Sequence, residues 1–298
     1  MSTTPTVATP PADDKPKTLY DKLSTALPIG LTALATVFAG MSTEELQRAM
    51  FWRAAASQDQ AKATNQWTFA GLKRNRSLIM EGNAAQLRAI PGKRVDVAAP
   101  AGAEAEAKTA AEWLAGKGPP RVALPEIEDD DINAVLKAIR KREPEAAILT
   151  RAAKIPLRAI NQAIDDAEKA NEAIDTDWAR VLEAVSDLTA KRIAADPEAS
   201  NSVQAARFAL EQRRYRAESS LNLGIGSLYE ARVHVVTTIS DRHRWRSKNF
   251  FYAMLVAQIG AVISTLALAR QQKSGLLLLA AIAGAVAIAF GAFVFLTI

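Results

Sequence analysis

The side chains able to do chemistry in this sequence are few and loosely grouped. Five carboxylates between Glu126 and Asp131 could ligate Mg²⁺ or Ca²⁺, but they lack the glycine and the spaced oxygens of an EF-hand loop. We expect them to form the acidic N-terminus of a helix, where carboxylates complement the helix dipole. The two histidines, His234 and His243, stand nine residues apart, a poor spacing for a shared ligand face. We expect both on a solvated or packed helix face.

Signatures of catalysis and nucleotide binding are also missing from the sequence. No grouping of Ser, His and Asp suggests a nucleophilic triad, and Gly224-Ile225-Gly226 is not followed by the Lys and Ser or Thr of a phosphate-binding loop. These glycines instead indicate a close helix contact or a kink. With no cysteine, disulfides, thiol nucleophiles and cysteine-ligated metals are excluded. The sequence therefore predicts a protein that is not an enzyme, with no catalytic, cofactor-binding or metal-binding residues and no small-molecule substrate.

Composition favours long helices over a large globular core. Aromatic residues make up only 6% of the 298 residues, and the chain is rich in Ala, Glu, Lys, Arg and Gln, which is typical of long exposed helices. The formal net charge of +5 is small for this length. Because a nucleic-acid-binding protein would be expected to carry a dense basic face, we expect no nucleic-acid partner.

Three apolar runs are long enough to cross a membrane. Residues 250–269 and 276–298 provide 20 and 23 residues, separated by only six, so they predict a membrane hairpin. Residues 23–41 are uncharged but diluted by hydroxyl side chains and Pro28; we expect a third membrane helix, the alternative being an interfacial or buried helix. The Thr-, Pro- and Ala-rich residues 1–18 are expected to be disordered.

Residues 42–249, between the membrane runs, predict an extramembrane helical stalk. Ser42 and Glu45 have the spacing of a capping box, so we expect a helix to begin at Ser42 and to end near Ile90. A second long helix is expected from about Glu198 into the membrane run. Since the two start from the same surface and run in opposite directions, they should pair as an antiparallel, coiled-coil-like stalk.

The first part of the chain between these two helices, residues 91–125, is rich in proline and glycine. We interpret residues 91–125 as a linker containing one short helix, at about 103–115 and closed by Gly116. A further amphipathic helix is expected over 132–142.

An apolar seam over residues 153–192 predicts a partner helix. Its members follow alternating steps of four and three, and they are Ala153, Leu157, Ile160, Ile164, Ala167, Asn171, Ile174, Trp178, Val181, Val185 and Leu188. One helix cannot bury such a stripe alone, so the partner helix lies either in this chain or in another copy. Asn171, the only strongly polar member, would fix the register and partner number. Asn171 and Trp178 are therefore candidate packing or partner residues.

Basic and aromatic residues stand directly before the second membrane run. We expect them to act as membrane-interface anchors, with a regulatory lipid-binding site as the alternative; they are Arg242, Arg244, Trp245, Arg246 and Lys248. Lys and Arg near the membrane ends number six on the stalk side and five on the other side. Because the cluster before Phe250 is the densest, we expect the stalk and the C-terminus to be cytoplasmic.

The order of parts resembles a family of bacterial membrane proteins defined only as a domain of unknown function. The resemblance depends on the first membrane helix, the motif Ala63-Thr64-Asn65-Gln66-Trp67-Thr68-Phe69, the basic Lys73-Arg74-Asn75-Arg76 and the terminal hairpin. It covers about residues 20–85 and 205–298, whereas 91–155 looks like an insertion. It implies an integral membrane protein of bacterial type and supplies no activity. We expect the chain to be a multi-pass protein of the inner membrane. Asn65, Gln66 and Trp67 are candidate contact residues, although such a Trp is more often buried.

These features together favour a non-enzymatic, membrane-anchored scaffold or partner-binding protein. Its expected partners are the lipid bilayer and either a second copy or another membrane protein bound through the stalk. The alternative is a membrane sensor or transport-accessory subunit whose stalk helices relay a signal. Asn171→Leu separates the two: a passive stalk should gain stability or change its oligomeric state, whereas a relay should lose output while staying folded.

Overall fold

The computed structural model describes residues 19–93, 104–117, 125–269 and 275–297, and all regular structure in these ranges is helical. The α-helices there are α1 (Leu19–Ala89), α2 (Ala105–Glu112), α3 (Asp130–Arg140), α4 (Glu145–Ala152), α5 (Leu157–Ala195), α6 (Ser200–Ala269) and α7 (Gly275–Leu296). A π-helical turn, Trp113–Lys117, follows α2, and a 3₁₀ turn, Pro197–Ala199, precedes α6.

Three of these helices, α1, α6 and α7, are long and apolar enough to cross a membrane. They contain the three apolar runs predicted from the sequence, so the all-α fold and the three candidate membrane helices are confirmed. The tail predicted to be disordered, residues 1–18, and most of the short connection before α7 lie outside the described residues.

The capping box predicted at Ser42 is wrong. Residues on both sides of Ser42 belong to α1, so no helix begins there. The Ser42 hydroxyl donates to the carbonyl of Ser247 at 2.9 Å instead of capping a helix, and the Thr43 hydroxyl donates to the carbonyl of Ala39 at 2.9 Å. The N-cap residue of a capping box has a non-helical backbone, whereas Ser42 lies inside α1 because the helix-forming run up to Met41 continues through it. The predicted end near Ile90 is confirmed, since α1 ends at Ala89.

The described chain divides into two compact units. The first contains the described residues up to Ala49 and from Asp241 onward, and the second is Met50–Ser240. In the first unit, parts of α1, α6 and α7 share one apolar core, formed by Ala35, Phe38, Phe250, Ala253, Ala257, Ala287 and Val294. Small residues let these helices approach closely: a Cβ at Gly284 would stand 2.7 Å from Leu31 Cδ2.

In the second unit, the seam of α5 is buried by helices of the same chain. Ile160, Ile164 and Ala167 pack in a core with residues of α1, α3, α4 and α6. Trp178 and Val185 pack in another core with residues of α2, the π turn and α6. The sequence left two sources for the partner helix, and the structure shows it in this chain. Ala153 is the exception, since it lies exposed in the turn after α4.

The paired contacts of α1 and α6 in the second unit run in opposite order along the two helices. Asp59 contacts Arg232, Ala70 contacts Ser219 and Ser77 contacts Gln212. Residue numbers thus rise along α1 as they fall along α6. The buried face of α1 here has small side chains every seven residues, at Ala56, Ala63, Ala70, Ser77 and Ala84. Such small side chains allow α6 to pack closely.

The region between α1 and α5 is more helical than the sequence suggested. The short helix predicted at 103–115 is present as α2, and Gly116 in the turn after it has φ of 95°, a backbone conformation that favours glycine. The amphipathic helix predicted at 132–142 is α3. Helix α4 was not predicted, because eight residues are too few to show a clear helical period.

Candidate functional site

The acidic segment Glu126–Asp131 behaves as a helix start. The Asp129 carboxylate accepts hydrogen bonds from the backbone N–H groups of Asp131 and Ile132, at 2.9 and 3.1 Å, and so caps α3. This confirms the expected acidic helix N-terminus. Within the described ranges, no group of three or more His, Asp or Glu side chains could hold a metal ion.

A buried carboxylate organises the first unit beside its apolar core. The side chain of Glu45 on α1 is only 10% exposed, and its oxygens contact His243 Nδ1 at 2.6 Å and Arg246 Nη1 at 3.5 Å, both on α6. Arg48, one turn further along α1, adds a longer contact at 3.7 Å. We call Glu45, His243 and Arg246 the Glu45 cluster. These charge-assisted contacts fix the position of α1 along α6 at this level of the first unit.

The five predicted interface anchors divide into two groups. Arg242, Arg244, Trp245 and Lys248 are exposed, as membrane-interface side chains should be, whereas Arg246 turns inward to Glu45. Its Nε atom is buried and has no hydrogen-bond partner among the described residues. Arg246 therefore belongs to the packing of the unit, and the exposed four remain the candidates for contact with lipid.

The second unit contains a buried ion pair between α1 and α6. Arg232 Nη1 lies 3.3 Å from Asp59 Oδ1, and both side chains are largely buried. Two further atoms, Asp59 Oδ2 and Arg232 Nε, are buried without a hydrogen-bond partner in the described structure. Burial raises the pKa of Asp59, while the charges of Arg232 and Lys62 oppose the rise. An incompletely satisfied buried pair is costly, so it is unusual unless it serves specificity or movement.

Further polar side chains, on α5 and α6, form contacts near the pair of Asp59 and Arg232. The Tyr229 hydroxyl donates to Glu168 Oε1 at 2.6 Å, and Lys62 lies over the Tyr229 ring. Burial and the Glu168 carboxylate raise the pKa of Tyr229 well above its usual value. Burial also raises the pKa of Glu230 and lowers that of His234. The hydrogen bond of Tyr229 to Glu168 joins α6 to α5, and the contact of Lys62 with the Tyr229 ring joins α1 to α6.

The motif residues Gln66 and Trp67 pack inside the second unit. Trp67 is half-buried against the apolar core and lies over Gly226 of α6, which confirms the close helix contact expected at the glycine pair. Gln66 is half-buried, and its Oε1 atom has no partner in the described part of the chain. Both residues therefore contribute mainly to packing.

Asn65 lies on an exposed face of α1 that sequence analysis did not single out. Phe69, Leu72 and Ile79 follow it at heptad spacing, and these three are 53%, 53% and 58% exposed. We call Asn65, Phe69, Leu72 and Ile79 the α1 face. Large apolar side chains exposed together on one face of a helix often mark a binding site.

The two residues singled out in the α5 seam have different surroundings. Trp178 is buried and packs edge-on against Trp113, with ring centroids 6.1 Å apart. Asn171 is half-buried and falls between the two cores, since Ala167 belongs to one and Ile174 packs against the other. Trp178 is therefore a packing residue, and Asn171 marks the break between cores.

A cleft of about 920 Å³ lies at the far end of α1 in the second unit. Its charged lining residues are Glu81, Arg88, Lys93 and Arg213. The Arg213 guanidinium donates to the carbonyls of Trp113 and Gly116, at 2.8 and 2.6 Å, so it caps the π turn. Burial lowers the pKa of Arg213, and the nearby Arg88 adds to the effect. The cleft offers positive charge but no acid–base pair suited to catalysis.

A regular spacing in the sequence could have revealed the polar contacts of α1. Asp59, Gln66 and Lys73 each follow a buried alanine by three residues, and they recur every seven. Each meets α6: Asp59 at Arg232, Gln66 at Gly226 and Lys73 at Glu218. The alanines hid this heptad, because alanine carries a weak hydrophobic signal.

No protein-family model, curated protein or solved structure matches this chain. Its function must therefore be inferred from its own residues.

Proposed function

We propose that this chain is a non-enzymatic, membrane-anchored helical protein that binds another protein through the α1 face. The observation that carries the proposal is the exposure of Phe69, Leu72 and Ile79 in the second unit, which does not contain the apolar runs. These side chains repeat at heptad spacing, which suits an amphipathic helix of the partner. Arg76 lies on the same stripe and is exposed, so a carboxylate on the partner helix would complement it.

Membrane anchoring by α1, α6 and α7 is the first part of this proposal. Their length and apolar composition support it, and so does the exposure of Arg242, Arg244, Trp245 and Lys248 just before the apolar run of α6. We further propose a multi-pass protein of a bacterial inner membrane, with its second unit and C-terminus in the cytoplasm. Resistance to alkaline carbonate extraction tests the anchoring, and reporter fusions at residue 120 and at the C-terminus test the orientation.

An antiparallel stalk is the second part. The opposite order of contacts between α1 and α6 in the second unit supports it, together with the burial of the α5 seam in this chain. Since that seam is already covered, it is not free to bind a partner, whereas Phe69, Leu72 and Ile79 of the α1 face are exposed. Binding of a partner there leaves the helix pairs intact, as expected for a scaffold.

Photo-crosslinking in native membranes tests the partner. A photoreactive amino acid is placed at Leu72, and at Leu223 on α6 as a control of similar exposure, 53% against 49%. We expect a discrete adduct with another protein from Leu72 only, lost when Ile79→Glu is added. Adducts from both positions alike, or adducts containing only further copies of this chain, would overturn the proposal.

The second candidate is a sensor or transport-accessory subunit. The buried pair of Asp59 and Arg232 favours it, because a helix shift that gave partners to Asp59 Oδ2 and Arg232 Nε would offset part of its own cost. Asn171→Leu and Asp59→Asn are its tests, measured as signalling or transport output at equal protein level. A relay loses output while the helix content is unchanged; a scaffold keeps its crosslink at Leu72 in both variants.

A further inference from the structure

One amide in the apolar run of α6 is left without a partner. Gln258 is exposed, and among the described residues its side chain makes no hydrogen bond. Exposed hydroxyls in the same apolar runs are satisfied by their own helices: Thr32 donates to the carbonyl of Pro28 at 2.8 Å, and Thr265 donates to that of Ala261 at 2.9 Å. A glutamine amide also carries an acceptor oxygen, which no carbonyl of its own helix can satisfy, so Gln258 differs from the exposed hydroxyls there.

Gln258 lies in the middle of an exposed stripe on α6. The stripe follows alternating steps of four and three and contains Phe251, Leu255, Gln258, Val262, Thr265 and Ala269, all exposed. Ala253 and Ala257 lie on the other side of α6 and are fully buried in the core with α1 and α7. The stripe therefore faces away from the other helices of its own unit, and it has the spacing of a two-helix seam.

The environment of this amide follows from the proposed membrane anchoring, on which this inference rests. Gln258 stands eight residues beyond Phe250, about 12 Å along the helix at 1.5 Å per residue. At that depth acyl chains offer neither donor nor acceptor, so an exposed amide is unfavourable until another protein group meets it.

A second copy of this chain provides that group at the right depth. With every copy inserted in the single orientation proposed above, two α6 helices cross in parallel and the same residue of each lies at the same level. An amide both donates and accepts, which makes Gln258 self-complementary across a twofold axis.

We propose that two copies of this chain associate in the membrane along the α6 stripe, with the two Gln258 amides exchanging hydrogen bonds across the twofold axis. The apolar members of the stripe pack on either side of this pair. The interface uses residues other than those of the buried α5 seam and of the α1 face.

Cysteine crosslinking in native membranes tests the dimer without background, because the chain has no cysteine of its own. Single variants Leu255→Cys and Val262→Cys are placed in the stripe. Val37→Cys on α1 and Ile282→Cys on α7, which are 56% and 50% exposed, serve as controls on the other membrane helices. We expect a disulfide-linked dimer after mild oxidation from the two stripe positions and not from the controls.

The role of the amide is tested in the Val262→Cys background. Gln258→Leu should lower the dimer fraction at limiting expression about three- to tenfold, whereas Gln258→Asn should retain most of it. Equal crosslinking at stripe and control positions, an unchanged yield with Gln258→Leu, or adducts containing only a foreign protein would overturn the dimer. Carbonate extraction of the same membranes separates the two proposals: a chain released into the supernatant contradicts the anchoring, and a chain retained without crosslinks contradicts the dimer alone.

Discussion

The indole of Trp67 lies directly on the backbone of Gly226. A Cβ at position 226 would stand 2.7 Å from both Cδ1 and Nε1 of the Trp67 ring, closer than real Cβ atoms approach. Gly226 thus provides the space in α6 that lets Trp67 of α1 enter the core of the second unit. A residue that looked like a partner contact in the sequence is a fixed point of the helix packing.

Gly226→Ala should therefore destabilise the protein by about 1–3 kcal/mol, because the added methyl group forces the Trp67 ring or α6 to move. Thermal unfolding of the full chain in detergent, followed by the helical circular dichroism signal, measures the change. Gly82→Ala is the matched control, since nothing lies within 4 Å of its new Cβ. There the gain in helix propensity should stabilise by about 0.5–1 kcal/mol. Equal shifts in both variants would refute the close contact.

The first unit should respond in the same way at Gly284 and Gly291. A Cβ at Gly284 would stand 2.7 Å from Leu31 Cδ2, and one at Gly291 would stand 2.5 Å from Phe38 Cζ. We expect either Ala variant to lower the unfolding temperature in detergent, with Gly40→Ala, which meets open space, as the control. Adding Phe38→Leu should restore part of the loss in Gly291→Ala but none in Gly284→Ala. Failure of this selective rescue would contradict the packing.

Removing the charge of Glu45 should destabilise the first unit by about 1–3 kcal/mol. Glu45→Gln leaves Arg246 and His243 largely buried without their carboxylate. Glu44→Gln is the neighbouring control, because Glu44 is 60% exposed and pairs with Arg48 at the surface, where such a pair contributes less than about 1 kcal/mol. Chemical denaturation of both variants in the same detergent gives the comparison. A larger loss for Glu44→Gln would show that the Glu45 cluster does not hold the helices.

Acidification should weaken the second unit through His234. Burial lowers the pKa of His234 below 6.5, and the charge of Glu145 opposes this shift only in part. The unfolded chain then binds more protons than the folded chain between the folded-state pKa and 6.5, so this contribution is fully present above that window and is lost as pH falls through it. His234→Gln should make stability less dependent on pH between 7.5 and 5. The free energy of unfolding of both proteins is measured at several pH values over this range. The same dependence on pH in wild type and variant would disprove the effect.

Some features were predictable because they depend on residues close together in the chain. The three apolar runs predicted the candidate membrane helices, since length and absence of charge are sufficient for that inference. The seam of α5 predicted a buried stripe, because ten apolar residues at heptad spacing form a continuous face that another helix must cover. The acidic start of α3 was predicted from dipole complementarity alone.

Long-range contacts, in contrast, were not predictable from the sequence, and the helix start predicted at Ser42 was wrong for this reason. Ser42 has the spacing of a cap, yet its hydroxyl donates to Ser247 of α6 while α1 continues through it. Arg246 looked like one more interface anchor, but it turns toward Glu45. In each pair the two residues lie more than 190 positions apart in the sequence, so no local pattern could indicate the pairing.

The sequence by itself determined which stretches are apolar, which are helical and that the α5 stripe needs a cover, because hydrophobicity and helix propensity are properties of neighbouring residues. Only the tertiary structure decided that several helices of the same chain cover this stripe, that Trp67 packs at Gly226 and that Phe69, Leu72 and Gln258 stay exposed. The physical reason is that burial depends on which helices meet, and these helices are joined by contacts between residues more than 100 positions apart.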